Sequence, residues 1–319
     1  MPYSILNLKP VKPRHSKSYY VDGIISSNRV VLGQAITLIE SNLASDQQLA
    51  ADVLDTILPH TGNSIRVGIT GVPGVGKSTF IEALGLHVAQ QHRLAVLSID
   101  PSSQLTRGSI LGDKTRMEEL ARHPQVFIRP TASGNTLGGV AHRTREAMLL
   151  CEAAGYSVIF VETVGVGQSE VTVKNMVDFF LLLMLAGAGD ELQGIKKGIM
   201  EMADALVITK ADGDNIQRAR EAQAEYQHAL HLFEAAESGW IPKVMLSSAL
   251  TGEGVPNVWM LIEQYQHQML TSGFFGHNRS LQRITWFHEQ FDQLLKRDLK
   301  LHDHVNVVRL ENEVRTNSL

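Results

Sequence analysis

Arg66-Val-Gly-Ile-Thr-Gly71-Val-Pro-Gly-Val-Gly-Lys77-Ser78-Thr-Phe-Ile is the stretch whose reading decides the fold. A short apolar run, Arg66–Thr70, gives way to a glycine-rich octet that fits G-x-x-x-x-G-K-[ST]. A helical pattern carried by Phe80, Ile81, Leu84 and Val88 follows at once. In such a loop Gly71, Gly74 and Gly76 let backbone N–H groups converge on phosphate oxygens. Val72, Pro73 and Val75 complete the cradle and Thr79 closes it. Lys77 is placed to bridge the outer phosphates, and Ser78 to ligate magnesium. A chance match is expected in roughly one chain of this length in a hundred. The strand-to-helix context lowers that further.

Working outward, short apolar runs recur at Ala95–Asp100, Val126–Arg129, Val158–Glu162, Phe179–Leu185, Ala205–Thr209 and Lys243–Leu246. Amphipathic stretches separate them. This alternation predicts an α/β fold with a doubly wound, mainly parallel sheet, whose ligands bind beyond the carboxyl ends of the strands. Residues 1–62 read as a tail and helical extension, with stripes at Val30, Val31, Ala35, Ile36 and Ile39 and at Leu49, Val53, Leu54 and Ile57. Asp46 is expected to N-cap the second of these helices. Residues 63–270 read as the nucleotide domain and 271–319 as a helical segment that must bury its apolar stripe on its own domain or, in a dimer, on a second subunit. In the latter a Gly/Phe/Asn break over Thr271–Ser280 precedes a helix over Leu281–Leu301, striped by Ile284, Phe287, Phe291, Leu294 and Leu295.

Two acids end strands on the P-loop side of the expected sheet. Asp100 and Glu162 are therefore expected to hold the metal with Ser78. Gly165 is expected to offer its N–H to a terminal phosphate and to release its segment on hydrolysis. Thr209-Lys-Ala-Asp212 follows a strand and fits [NT]-K-x-D. There Asp212 accepts from two guanine donors that adenine lacks, and the stem of Lys210 packs along the base. Ser247, Ser248 and Ala249 fit the short loop that closes over guanine. The reading is GTP rather than ATP. Val166 stands where many small GTPases carry a water-orienting glutamine. Slow turnover, completed by a partner or a moving loop, is expected.

Composition narrows the classes. The 319 residues are 44% hydrophobic and 19% charged with a net charge of −4, so no general grip on nucleic acid or an anionic membrane is implied. A single cysteine, Cys151, excludes an intrachain disulfide framework or thiolate zinc cage. Met1–Tyr20 lacks the apolar core of a signal peptide, and no apolar run is long enough to span a bilayer; a cytoplasmic protein is expected.

The segments Gly71–Ser78, Asp100–Ser103, Gly108–Met117, Glu162–Glu170 and Gly187–Gly198 resemble the MeaB/ArgK/MMAA GTPases. The likeness covers about residues 18–270. It implies a G domain of the SIMIBI class, a homodimer, and a role as GTP- and magnesium-dependent chaperone of an adenosylcobalamin-dependent acyl-CoA mutase, usually methylmalonyl-CoA mutase. It further implies that Asp113 is a first-switch acid near the metal and that Glu162–Glu170 is the second switch. Asp190–Lys197 would be a third switch, from which Lys196 reaches the phosphates. The alternatives are a metal-inserting GTPase, disfavoured by the lack of Cys- or His-rich tracts, and a transport-associated kinase. The His302-Asp-His304 cluster reads as solvated surface.

Overall fold

The computed structural model describes residues 14–100, 117–132, 137–163, 169–187, 197–233 and 237–315. Seven strands form one sheet: β1 (Ile65–Gly71), β2 (Leu94–Asp100), β3 (Val126–Ala132), β4 (Val158–Thr163), β5 (Phe179–Leu185), β6 (Ala205–Thr209) and β7 (Lys243–Leu246). Their order is β3-β2-β4-β1-β5-β6-β7, and every pairing is parallel. The chain leaves β1 toward one edge and returns to β1's other side for β5. The topological switch point, where such sheets bind ligands, is therefore the carboxyl end of β1.

Near-continuous apolar composition suits strands covered on both faces. Residues of β1, β4 and β6 are buried throughout. Pro130 removes a backbone donor, and it lies on β3, an edge strand, where that loss is tolerated. At the other edge, β7 is covered by α9 (Ile216–Leu230). The Gln223 amide donates to the Val244 carbonyl at 2.7 Å, and the Val244 N–H donates to Gln227 at 3.1 Å.

Three helices precede the sheet: α1 (Lys17–Ile25), α2 (Arg29–Ile39) and α3 (Ala44–Ile57). They pack on one another and on α6 (Leu137–Ala153) through Ile24, Leu32, Ile36 and Ile57, all fully buried. Asn28 caps α2 by accepting from the N–H groups of Val30 and Val31. Two expectations need correcting. In the first stripe Val31, Ala35, Ile36 and Ile39 are buried as expected, but Val30 is 68% exposed and Leu32 is buried in addition. Asp46 is no N-cap: Leu43 holds that position without a side-chain bond, and Asp46 lies inside the first turn. There an acid suits the helix dipole, and Arg14 compensates its burial with contacts of 2.7–3.1 Å.

The remaining helices are α4 (Lys77–Val88), α5 (Glu118–Arg122), α7 (Ser169–Lys174), α8 (Lys197–Met202), α10 (Val255–Ser272) and α11 (Phe274–Arg315). The expected break over Thr271–Ser280 shrinks to Gly273 alone, at φ 77°. Gly276 and Asn278 sit inside α11, because a helical glycine costs only about 1 kcal/mol. The chain divides into two compact units, Met1–Gln266 and His267–Leu319. In the second, Ile284, Phe287, Phe291, Leu294 and Leu295 are between 46% and 62% exposed. Among the described residues no helix is long and apolar enough to cross a membrane.

Candidate nucleotide site

The P-loop begins where β1 ends and closes where α4 begins. Gly76 takes the N-cap position of α4 at φ 90°, φ 90° being a value that strains any residue with a Cβ. The Lys77 ammonium folds back onto the loop and donates to the Gly71 carbonyl at 2.6 Å and to Val72 at 3.5 Å. Burial lowers its pKa from the ordinary lysine value, opposed by the charges of Glu162 and Glu170. The ammonium is thus held over neutral acceptors, which anionic phosphate oxygens would outcompete.

Glu162, at the end of β4, sits between two hydroxyls. Ser78 donates to Oε1 at 3.5 Å and Ser98 to Oε2 at 3.3 Å. A carboxylate beside the P-loop serine is an all-oxygen donor set, which suits magnesium rather than a soft metal. Asp100 ends β2 at the same sheet edge, although its side chain is not among those described. Asp113, Gly165 and Lys196 lie outside the described residues.

Two further loops meet the P-loop. The Thr209 hydroxyl, buried at the end of β6, lies 2.7 Å from the Val75 carbonyl and 3.2 Å from that of Met184. Lys210 adopts φ 54° and donates to the Gly74 carbonyl at 3.0 Å. The Asn215 amide holds this unusual backbone by donating to the Lys210 carbonyl at 2.7 Å. Asp212 accepts from the Ser248 hydroxyl. The loop Ser247–Ala249 is itself pinned, since the Ala211 N–H donates to the Ser247 carbonyl at 3.2 Å and the Ser248 N–H to that of Glu253 at 2.9 Å. Gly254 makes this approach possible: a Cβ there would lie 2.1 Å from the Leu246 carbonyl oxygen. The structure therefore joins Gly71–Thr79, Thr209–Asp212 and Ser247–Ala249 into one hydrogen-bonded assembly.

The family profile described as "Methylmalonyl Co-A mutase-associated GTPase MeaB" matches residues 32–303. The chain belongs to the MeaB family. A Mycobacterium tuberculosis relative, "Probable GTPase Rv1496", is 51% identical over 271 residues, covering 83% of this chain and 81% of its own. The mouse "Methylmalonic aciduria type A homolog, mitochondrial" is 45% identical over 310 residues, covering 93% of this chain and 75% of its own. A solved structure titled "Crystal structure of LAO/AO transport system kinase" is 37% identical with a TM-score of 0.77, covering 97% of this chain and 95% of that one. As a MeaB-family member the chain is a P-loop GTPase, of a family associated with methylmalonyl-CoA mutase.

Ser98 and Thr70 were not anticipated from the sequence, and Thr163 only as part of the Glu162–Glu170 segment, yet each is a buried hydroxyl near the carboxyl end of its strand. The available signal was a Ser or Thr interrupting an apolar run just before a loop, where a buried hydroxyl requires a partner.

Proposed function

We propose that this MeaB-family GTPase works as a magnesium-dependent, homodimeric, cytoplasmic switch that gates adenosylcobalamin loading onto an acyl-CoA mutase and protects the loaded enzyme. Methylmalonyl-CoA mutase is the client we propose. The observation that carries the reading is the coupling of the base loops to the P-loop through Thr209–Val75 and Lys210–Gly74. Such wiring suits a protein in which nucleotide state sets conformation rather than one that merely consumes nucleotide.

In this reading Gly71–Thr79 cradle the phosphates and Lys77 neutralises their charge. Asp212 and the loop Ser247–Ala249 read guanine, with Lys210 along the base. Ser78 and Glu162 hold magnesium, joined by Asp100 from the end of β2 and by Asp113 on the strength of the family resemblance. Gly165, just beyond the Glu162 strand end, senses the terminal phosphate, and so does Lys196 on the strength of the resemblance. Magnesium, when bound, supplies charge neutralisation on the outer phosphates.

The test is transfer of adenosylcobalamin to the apo-mutase in the presence of this protein with GTP, GDP or a non-hydrolysable GTP analogue. The reading expects transfer to depend on which nucleotide is bound. Transfer that ignores nucleotide state would overturn it.

A second reading is favoured by the 37% identity to an LAO/AO transport system kinase. It requires the terminal phosphate to reach an acceptor other than water. Radiolabel from γ-labelled GTP appearing on protein or small molecule, rather than as free phosphate, would favour it.

A further inference from the structure

The register pairs Ile69 with Glu162, which sets Thr70 of β1 beside Thr163 of β4 on one face of the sheet. Glu162 faces the other way, toward Ser78 and Ser98, because successive side chains alternate. The two threonines are in contact at 2.7 Å between hydroxyl oxygens. Each stands at a critical point in the chain. Thr70 is the last residue before the P-loop, and Thr163 is the last of β4, inside the Glu162–Glu170 segment that the family resemblance makes the second switch.

α7 packs on the same face of β1 and β4. Its Glu170 is 1% exposed and lies 3.4 Å from the Thr70 hydroxyl. Each hydroxyl has one proton, and that of Thr70 goes to the Glu170 carboxyl oxygen while that of Thr163 goes to Thr70. The direction of the relay is therefore fixed. Without an acceptor at Glu170, either threonine can donate to the other and the pair loses its single orientation.

We infer that Glu170 is a positioning residue for GTP hydrolysis, orienting through Thr70 and Thr163 the junction between the P-loop and the start of the second switch. It acts through the two threonines, by removing alternatives from a buried polar relay. The same carboxylate adds to the negative field at Lys77. The inference requires only the GTPase activity of the family and is independent of the mutase role.

Steady-state GTP hydrolysis with magnesium, GDP affinity and Tm would be measured for the wild type and for E170M, E170Q, T70V, T70S and the double variant E170M/T70V. E170M keeps the volume and removes the acceptor. Its kcat is expected to fall by about tenfold, with KM and GDP affinity within about twofold of wild type. E170Q, whose amide oxygen still accepts, is expected to recover most of that loss, and T70S most of the loss seen in T70V. The double variant is expected to be no slower than the worse single one, as for residues acting through one relay. A wild-type kcat in E170M or in T70V overturns the inference. So does E170Q as slow as E170M, additive losses in the double variant, or a fall in kcat that only tracks Tm and KM.

Discussion

The Thr209 hydroxyl donates its one proton toward the Val75 carbonyl at 2.7 Å, tying the strand that leads to the base loop directly to the P-loop. Guanine-binding loops more often carry asparagine at this position, and the hydroxyl makes the cross-link without an amide. T209V is isosteric and removes the donor, leaving the Val75 carbonyl without it. Such a loss costs about 1–3 kcal/mol. GDP affinity measured by titration calorimetry is expected to fall roughly tenfold in T209V, while T209S stays near wild type. Equal affinity in T209V and wild type would show that the cross-link does not support nucleotide binding.

Asp212 is held in place by the Ser248 hydroxyl, which leaves the rest of its carboxylate for donors on a base. Replacing the acceptor by an apolar side chain should destroy the distinction between guanine and adenine, because buried polar groups matched to a ligand dominate discrimination. The ratio of GTP to ATP turnover is expected to drop by on the order of a hundredfold in D212A, chiefly through loss of GTP binding. An unchanged ratio would place base recognition elsewhere.

Much of this was legible before any coordinates. Phe179–Leu185, Ala205–Thr209 and Lys243–Leu246 are strands with the bounds their apolar runs predict, because fully buried parallel strands carry their signal in composition. Gly71–Ser78, Thr209–Asp212 and Ser247–Ala249 were legible as motifs by residue type and spacing, and the structure adds the hydrogen bonds that join them. Asp46 misled because an acid at a helix start suits both the N-cap and the first turn, and Arg14, 32 residues away in sequence, decides between them. The Thr70–Thr163–Glu170 relay was illegible for a similar reason. Only strand register and the packing of α7 bring three separate polar residues together.

The apolar stripe of α11 bears on assembly. Phe287 and Phe291 stack with ring centroids 6.1 Å apart and are 62% and 50% exposed in the single chain. If this stripe forms the proposed homodimer, the double substitution F287E/F291E places charge in its contact and should yield monomer. Light scattering coupled to gel filtration is expected to give twice the chain mass for the wild type and the chain mass for the variant. A wild-type monomer would remove the dimer from the account.

Arg14 and Asp46 give the fold an acid-sensitive fastening. The hydrogen bond from Arg14 leads the effects that hold the Asp46 carboxyl below its usual value. A carboxyl depressed in the folded state contributes its stability above the unfolded value, near pH ~4, and loses it as pH falls through the lower folded value. D46N should therefore have a lower Tm than wild type near neutrality, with the gap closing in that acidic window. A gap independent of pH would show that the carboxylate's charge is not what fastens Arg14.

The most direct measurement is magnesium-dependent hydrolysis of GTP and ATP by the purified protein, with and without methylmalonyl-CoA mutase from the same cell. The account predicts slow, GTP-selective turnover that accelerates when the mutase is added. Fast turnover of the protein alone, or a rate indifferent to the mutase, would contradict its role as that enzyme's switch.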